Sequence, residues 1–315
     1  MKQIFIGEAM KNRRLELRLS QDEVCEGICE VMTLSRLENG RQTPTHNRIK
    51  ALMQRLNMPD DRYYALLSKQ ELELDNTSKE LSACVSRFSC STGEAKEAAR
   101  TLAMEQLHRL ESLADQDDSI TQQSILRYKV ILGQKQGPYS LEESQEMLLR
   151  ALRLTAPKLD LDKLAGRRYT TDETRILNQI AGIYSRSGEH TKALQLYGQL
   201  YEYVRKNDDQ LSTYAPQFTL IAHNYARELG LSKNYHQSIE IALQGRQTAI
   251  KYGYYEFSPG FLYIAGECYY RIGETKKSKK LMLRAHYLYE ELEDEHNLIL
   301  IDRDIKSWFG LDFEI

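Results

Sequence analysis

The chain has little of what would build a sheet, a membrane anchor or a disulfide scaffold. Its 315 residues include only 6 Pro, 1 Trp and 5 Cys. No sustained Val/Ile/Thr alternation of period two runs through it, so half-buried strands are not expected. No apolar run approaches the roughly 20 residues that cross a bilayer. Residues 1–7 lack a long apolar stretch behind a basic start, which argues against a secretory leader and for a cytoplasmic protein. The cysteines (Cys25, Cys29, Cys84, Cys90 and Cys268) are odd in number, and no second Cys or His pair follows Cys25 and Cys29 at ligand spacing. They read as reduced core thiols, with no metal expected. The patterns HExxH, GxSxG and GxxxxGK[ST] are missing, GxGxxG does not occur in a strand context, and the seven His are scattered. Neither an enzyme nor a bound cofactor is expected.

What is present favours helices. Hydrophobic residues make up 41% and charged residues 28%, with abundant Leu, Glu, Gln, Lys and Ala, so an all-α, folded protein is expected. The 20 Tyr supply flat apolar bodies with a polar handle, suited to half-buried positions along a groove. The whole-chain charge of -2 hides an asymmetry: residues 1–65 carry eleven Lys/Arg against nine Asp/Glu, and the remainder is acidic. A mildly basic head on an acidic body is compatible with nucleic-acid binding.

The first 70 residues predict a small domain of five short helices. The first runs over Ile4–Leu19, with Ile4, Met10, Leu15 and Leu19 inward and Lys11, Arg13, Arg14 and Arg18 mostly outward. Ser20 caps the second, and Glu23 three positions on closes a capping box. After a turn at Cys29 and Glu30, a third helix runs to Glu38 and stops at Asn39-Gly40. A fourth carries Ile49, Leu52 and Leu56 inward, and residues 60–67 suggest a fifth.

The run SQDEVCEGICEVMTLSRLENG, with RQTPT after it, resembles the helix-turn-helix of the lambda-repressor-like class. More narrowly, the GIC turn and the TLSRLENG helix resemble the peptide-pheromone regulators of the PlcR/Rgg family. The resemblance implies that Val31, Met32, Thr33 and Arg36 face DNA. Arg36 has the guanidinium fork that matches guanine O6 and N7, although a phosphate contact fits it too. Gln21 would meet a backbone phosphate, and Arg14, Arg18 and Arg41 would clamp others, or be solvated charges. One departure stands out: Glu30, Val31 and Met32 occupy places where such regulators usually offer Ser, Thr or Gln.

Beyond residue 72 the pattern becomes repeated helices. IAGIYSRSGEHTKAL begins at Ile180, IAHNYARELGLSKNYHQSI at Ile221 and IAGECYYRIGETKKSKKL at Ile264, with starts 41 and 43 residues apart. Small residues at Ala193, Ser238 and Ser278 would let paired helices approach closely. This is similar to tetratricopeptide repeats with lengthened helices, and predicts a right-handed α-solenoid. Upstream, helices are expected over Glu94–Leu113, Ser124–Leu132 and Ser140–Leu154, and Asn297–Trp308 would cap the array. The expected division is residues 1–68 for the DNA-binding head, 69–76 for a linker and 77–315 for repeats that bind a peptide and dimerise.

A peptide held in a groove needs side chains that donate and accept together, with aromatic walls. Asn178, Gln217, Asn224 and Tyr225 are candidates for the first role and shape, with Tyr184, Tyr263 and Tyr269 as walls. Asn224 lies in NYARELG, matching the N-[LY]-A-x-x-L-G segment in which the resembled family carries an Asn similar to a backbone clamp. The resemblance implies a regulator of transcription that acts as a homodimer on an inverted-repeat operator in double-stranded DNA, gated by a short signalling peptide. A repeat domain that binds a protein instead, or a scaffold with no DNA role, is the alternative.

Overall fold

A computed structural model of the chain describes residues 6–58, 69–134, 137–206 and 211–311. Among them the regular structure is fifteen α-helices and a short 3-10 turn, Tyr255–Phe257, with no strand. They divide into two compact units, Met1–Ile183 and Tyr184–Ile315.

The first unit opens with α1 (Ile6–Glu16), α2 (Gln21–Cys25), α3 (Val31–Glu38) and α4 (His46–Arg55). Their inner faces close on Met10, Val24, Leu34, Leu37, Ile49 and Leu52. The Ser20 hydroxyl accepts from the Glu23 amide at 3.2 Å, and the Glu23 carboxylate accepts from the Ser20 amide at 2.7 Å, so the expected capping box is in place. Asn39 donates its side-chain amide to the Ser35 carbonyl at 2.7 Å, and Gly40 at φ +68° ends α3.

The first helix needs correction. It stops at Glu16, because the chain turns through Arg18 at φ +56°. Leu15, expected inward, is 57% exposed, while Arg14, expected outward, is buried. Ile4 and the helix suggested over residues 60–67 lie outside the described residues.

The unit continues with α5 (Lys69–Cys90), α6 (Gly93–Leu113), α7 (Ser119–Leu132), α8 (Leu141–Thr155) and α9 (Thr171–Arg186). Residues 69–76, expected to link, are the first turns of α5. The division between units falls inside α9 instead. Leu81, Val85, Leu107, Leu110, Ile125 and Tyr128 form the core shared by α5, α6 and α7. Helix α7 starts five residues before the Ser124 expected, because the Asp118 carboxylate accepts from the amides of Ile120 and Thr121.

The second unit holds α10 (His190–Lys206), α11 (Leu211–Leu231), α12 (Tyr235–Lys251), α13 (Ser258–Arg271), α14 (Thr275–Glu291) and the terminal α15 (Glu295–Phe309). Neighbours in sequence pack as neighbours in space, and α11 also touches α13, the pattern of stacked hairpins. The repeat is visible in the backbone. The amides of Glu189, Asn234 and Glu274 donate to the carbonyls of Tyr184, Leu229 and Tyr269 at 2.8–2.9 Å, across turns where Gly188, Lys233 and Gly273 have positive φ. Close approach explains the small residues: Ala193, Ser238 and Ser278 are all 0% exposed. A Cβ at Gly245 would lie 2.6 Å from the Phe261 ring. At the end of the unit, Leu262, Met282, Ala285, Ile301 and Ile305 pack together, and Tyr270 stacks on Trp308 with ring centroids 4.4 Å apart.

Candidate nucleic-acid interface and repeat face

Helix α3 is fixed from behind. Arg14 on α1 forks onto Glu38 at the end of α3, with Nε to Oε1 at 2.6 Å and Nη2 to Oε2 at 2.9 Å. Gln21 donates Nε2 to the same carboxylate at 2.7 Å, and Arg14 Nη1 reaches the Leu19 carbonyl at 2.9 Å. Glu38 is 3% exposed. The hydrogen bond to Glu38 raises the Arg14 pKa against the opposing effect of burial. Arg14 is therefore a strut rather than a phosphate clamp, because its fork is spent inside the domain. The Gln21 amide is likewise committed to Glu38.

With Leu34, Leu37 and Glu38 turned inward, α3 presents Val31 at 41% and Met32 at 58% exposure, together with exposed Arg36. Met32 and Arg36 are four apart and share one face. Thr33 instead lines an open cleft with Gly27, Cys29, Glu30 and Arg48. Arg18 and Arg41 are exposed at the domain's edge. The structure thus leaves Val31, Met32 and Arg36 accessible on α3, with Met32 and Arg36 on one face, and turns Thr33 to the cleft.

Sequence reasoning missed the fastening of this head to the rest of its unit. Arg55, at the end of α4, is 1% exposed. Its Nη1 donates to the Val24 and Glu26 carbonyls, and its Nη2 donates to the Thr155 carbonyl at 2.9 Å and to Glu173 Oε1 at 2.8 Å. Glu173 is 0% exposed and also accepts from the Thr155 hydroxyl at 2.8 Å and the Thr170 amide at 2.7 Å. Around this buried pair, Ser119 donates to the Gly27 carbonyl at 3.0 Å, Arg167 pairs with Glu26 at 2.8 Å, and Asn47 donates to Thr121 at 3.2 Å. Gly27 lies so near α8 that a Cβ there would sit 2.2 Å from the Thr155 carbonyl oxygen. The head is docked on α7, α8 and α9 with its α3 face left open.

The peptide-contact candidates separate in the structure. Gln217 and Asn224 are seven apart on α11 and half-buried, on the stripe that also carries Leu220 at 36% and Leu231 at 53% exposure. Gln217 Oε1 is buried with no hydrogen-bond partner among the described residues. Tyr225 is half-buried, its ring 5.7 Å from Tyr201, its hydroxyl accepting from Gln237 at 3.4 Å, and burial raising its pKa. Tyr263 gives its hydroxyl to Asp304 on α15 at 2.5 Å, so its polar end serves the terminal cap. Tyr184 and Tyr269 lie under Lys192 and Lys277, each ammonium 5.4 Å from the ring centre. Asn178 is buried on α9, in the first unit.

A helix-turn-helix family profile matches residues 10–62, which span the docked head from α1 through α4. The N-terminal helices form a helix-turn-helix domain. Comparison with curated proteins returns no match. Among solved structures, apo PlcR from Bacillus thuringiensis aligns with TM-score 0.57 at 15% identity, over 95% of this chain and 99% of that one. PlcR from the same organism, crystallised with the peptide PapR7 and DNA, gives 0.56 at 17% identity over 94% and 98%. The apo competence regulator ComR from Streptococcus vestibularis gives 0.54 at 14% identity over 96% and 98%. The helix-turn-helix is thus followed by helical repeats in the arrangement those folds share. Among the described residues no group of three or more His, Cys, Asp or Glu is placed to hold a metal. No helix there is long and apolar enough to cross a membrane.

Proposed function

We propose that this chain is a sequence-specific DNA-binding regulator of transcription whose second unit receives a short signalling peptide. The observation that carries the first half is the α3 face: two apolar side chains and one arginine exposed on a helix braced by the Arg14–Glu38–Gln21 network. A helix presented in this way enters the major groove. Val31 and Met32 offer apolar surface to thymine methyl groups and Arg36 offers its fork to guanine. Arg18 and Arg41 flank the face and supply phosphate contacts. Two heads on an inverted repeat would stand about 34 Å apart, so the regulator acts as a homodimer.

For the peptide, the accessible stripe of α11 supports the reading, with Gln217 and Asn224 as groups that pair with an extended backbone. Likeness in fold to PlcR, whose crystal structure holds a peptide and DNA, points the same way. Peptide and DNA then bind to one molecule at distinct sites, and linkage makes their effects on each other reciprocal.

The test is fluorescence anisotropy of the purified chain on duplex tiles from upstream of its own gene, at two salt concentrations, with and without short peptides encoded nearby. Tile-specific, salt-sensitive binding shifted by one peptide is expected. Specific binding that no peptide shifts removes the peptide half and points to a protein partner. Absence of salt-dependent binding leaves only a helical scaffold.

A further inference from the structure

Cys25 ends α2, and Cys29 stands one residue before the cap of α3, so two thiols bracket the turn that sets the reading helix. The Cys29 amide donates to the Cys25 carbonyl at 3.0 Å, as the Ile28 amide does at 2.9 Å. A turn closed in this way sets the two Cα atoms about 6 Å apart, within the span a disulfide bridges. Cys25 is 2% exposed in the core of the head. Cys29 is half-buried and lines an open cleft of about 390 Å³ with Glu30, Thr33 and Arg48.

The surroundings favour a reactive pair. The Arg55 guanidinium donates to the carbonyls on either side of Cys25, those of Val24 and Glu26, which sets a buried cation against the turn that carries the pair. Interaction with the Cys29 thiol lowers the Cys25 pKa against the effects of burial and of the Asp22 carboxylate, with a smaller lowering by Arg55. The second proton is then harder to remove, and Cys29 is pushed up by its partner and by burial. Two thiols at the ends of one turn, one with its pKa lowered by the other, have the chemistry of a dithiol that oxidises. The remaining described cysteines differ. Cys84 is buried on α5, and Cys268 is buried against the Ser238 hydroxyl at 3.2 Å, its pKa raised by burial.

We propose that Cys25 and Cys29 are a modification site, a dithiol that a hydroperoxide closes to a disulfide, and that closure loosens the head's hold on DNA. The cleft admits the peroxide to Cys29, which passes its proton to the Cys25 thiolate and so becomes the attacking anion. The thiolate attacks the O–O bond, giving a sulfenic acid and releasing hydroxide or alkoxide, which takes up the displaced proton. The Cys25 thiol then displaces the sulfenic oxygen as water and the S–S bond forms. Two thiols lose two electrons and two protons, while the peroxide is reduced to water and a second water or an alcohol. An S–S bond of about 2.05 Å is shorter than any unbonded sulfur contact. Closure draws Cys29 toward α2 and moves Glu30 and Val31 with it.

The loss of DNA affinity rests on the DNA-binding reading; disulfide closure does not. Trypsin releases both cysteines in one peptide, Leu19–Arg36, because no Lys or Arg lies between Arg18 and Arg36. The reduced full-length chain is treated with graded hydrogen peroxide, trapped with N-ethylmaleimide and analysed by mass. The expected result is an unalkylated peptide two hydrogens lighter, formed at peroxide doses that leave Cys84 and Cys268 alkylatable, and reversed by dithiothreitol. Specific DNA affinity should fall with it by about tenfold, the loss of one base contact. Cys29→Ser should keep its DNA affinity under the same oxidation. A peptide that stays dithiol until Cys84 and Cys268 also react overturns the proposal, whatever the DNA result. Full closure with unchanged affinity for DNA that the reduced protein binds overturns the coupling to the reading helix.

Discussion

Replacing Arg55 with Ala should release the head from its seat. Two guanidinium nitrogens hold four oxygens: the Val24 and Glu26 carbonyls within the head, and the Thr155 carbonyl and Glu173 carboxylate beyond it. Removing the arginine strands a carboxylate that is 0% exposed. Breaking a buried pair from one side costs about 3–5 kcal/mol. Glu173 keeps the Thr155 hydroxyl and the Thr170 amide, which places the expected loss near the lower end, about 3 kcal/mol. That is a large part of the roughly 5–15 kcal/mol by which a domain is stable. Urea unfolding followed by circular dichroism reads the midpoint, and hydrogen exchange reads where protection is lost. Exchange should rise at α2–α4 and at the α8–α9 junction together. The double variant Arg55→Met/Glu173→Gln removes both charges and should recover about 1–2 kcal/mol of the loss. A loss below about 1 kcal/mol for Arg55→Ala, with exchange unchanged at the junction, would refute the docked head.

The other predictions concern the turn, the reading face, the repeat and pH. Gly27→Ala combines φ +69° with a Cβ 2.2 Å from the Thr155 oxygen, so it should cost about 2–5 kcal/mol in the same unfolding assay. Arg36→Ala should narrow the gap between operator and scrambled DNA by about 1–3 kcal/mol, whereas equal weakening on both would make Arg36 a phosphate contact. Arg18→Ala and Arg41→Ala should each flatten the salt dependence of binding by about 0.9 in log–log slope, with sequence preference retained. Asn224→Ala should abolish the effect of peptide while peptide-free DNA binding stays as it was; a retained peptide response removes Asn224 from the site. Burial, partly offset by the Asn224 hydrogen bond, holds the His223 pKa down to about 4. The unfolded chain therefore takes up a proton first, and His223 contributes stability above pH about 6.5 that is lost between about 6.5 and 4, of order 3 kcal/mol. The pH profile of His223→Gln, compared with the parent by thermal unfolding, should lack that component.

Local chemistry made much of the fold legible. Ser20 with Glu23 announces α2 and Asn39-Gly40 announces the end of α3, because each signal depends on neighbours within a few residues, and the recurrence of Ile-Ala at 180, 221 and 264 announces the hairpins. The long-range partners were not legible. Arg14 meets Glu38 across 24 positions and Arg55 meets Glu173 across 118, and an arginine on an amphipathic helix looks solvated until its partner is known. A weak signal existed. Arg14 lies four after Met10, Glu38 four after Leu34 and Arg55 three after Leu52, so each sits on a buried stripe. The repeat residues show the same limit: Tyr184 and Tyr225 follow the repeat's Ile at the same spacing, yet one ring lies under Lys192 and the other is packed beside Tyr201.

Selection of binding sites from random duplex DNA tests the central claim most directly, comparing the parent chain with Met32→Ala/Arg36→Ala after repeated rounds at fixed salt. The account predicts that the parent enriches an inverted repeat whose half-sites lie about one helical turn apart, 10–10.5 base pairs, and that the double variant enriches no sequence while still retaining DNA at low salt. A parent that enriches nothing, or a double variant that enriches the same site equally well, would contradict the assignment of the α3 face as the surface that reads DNA.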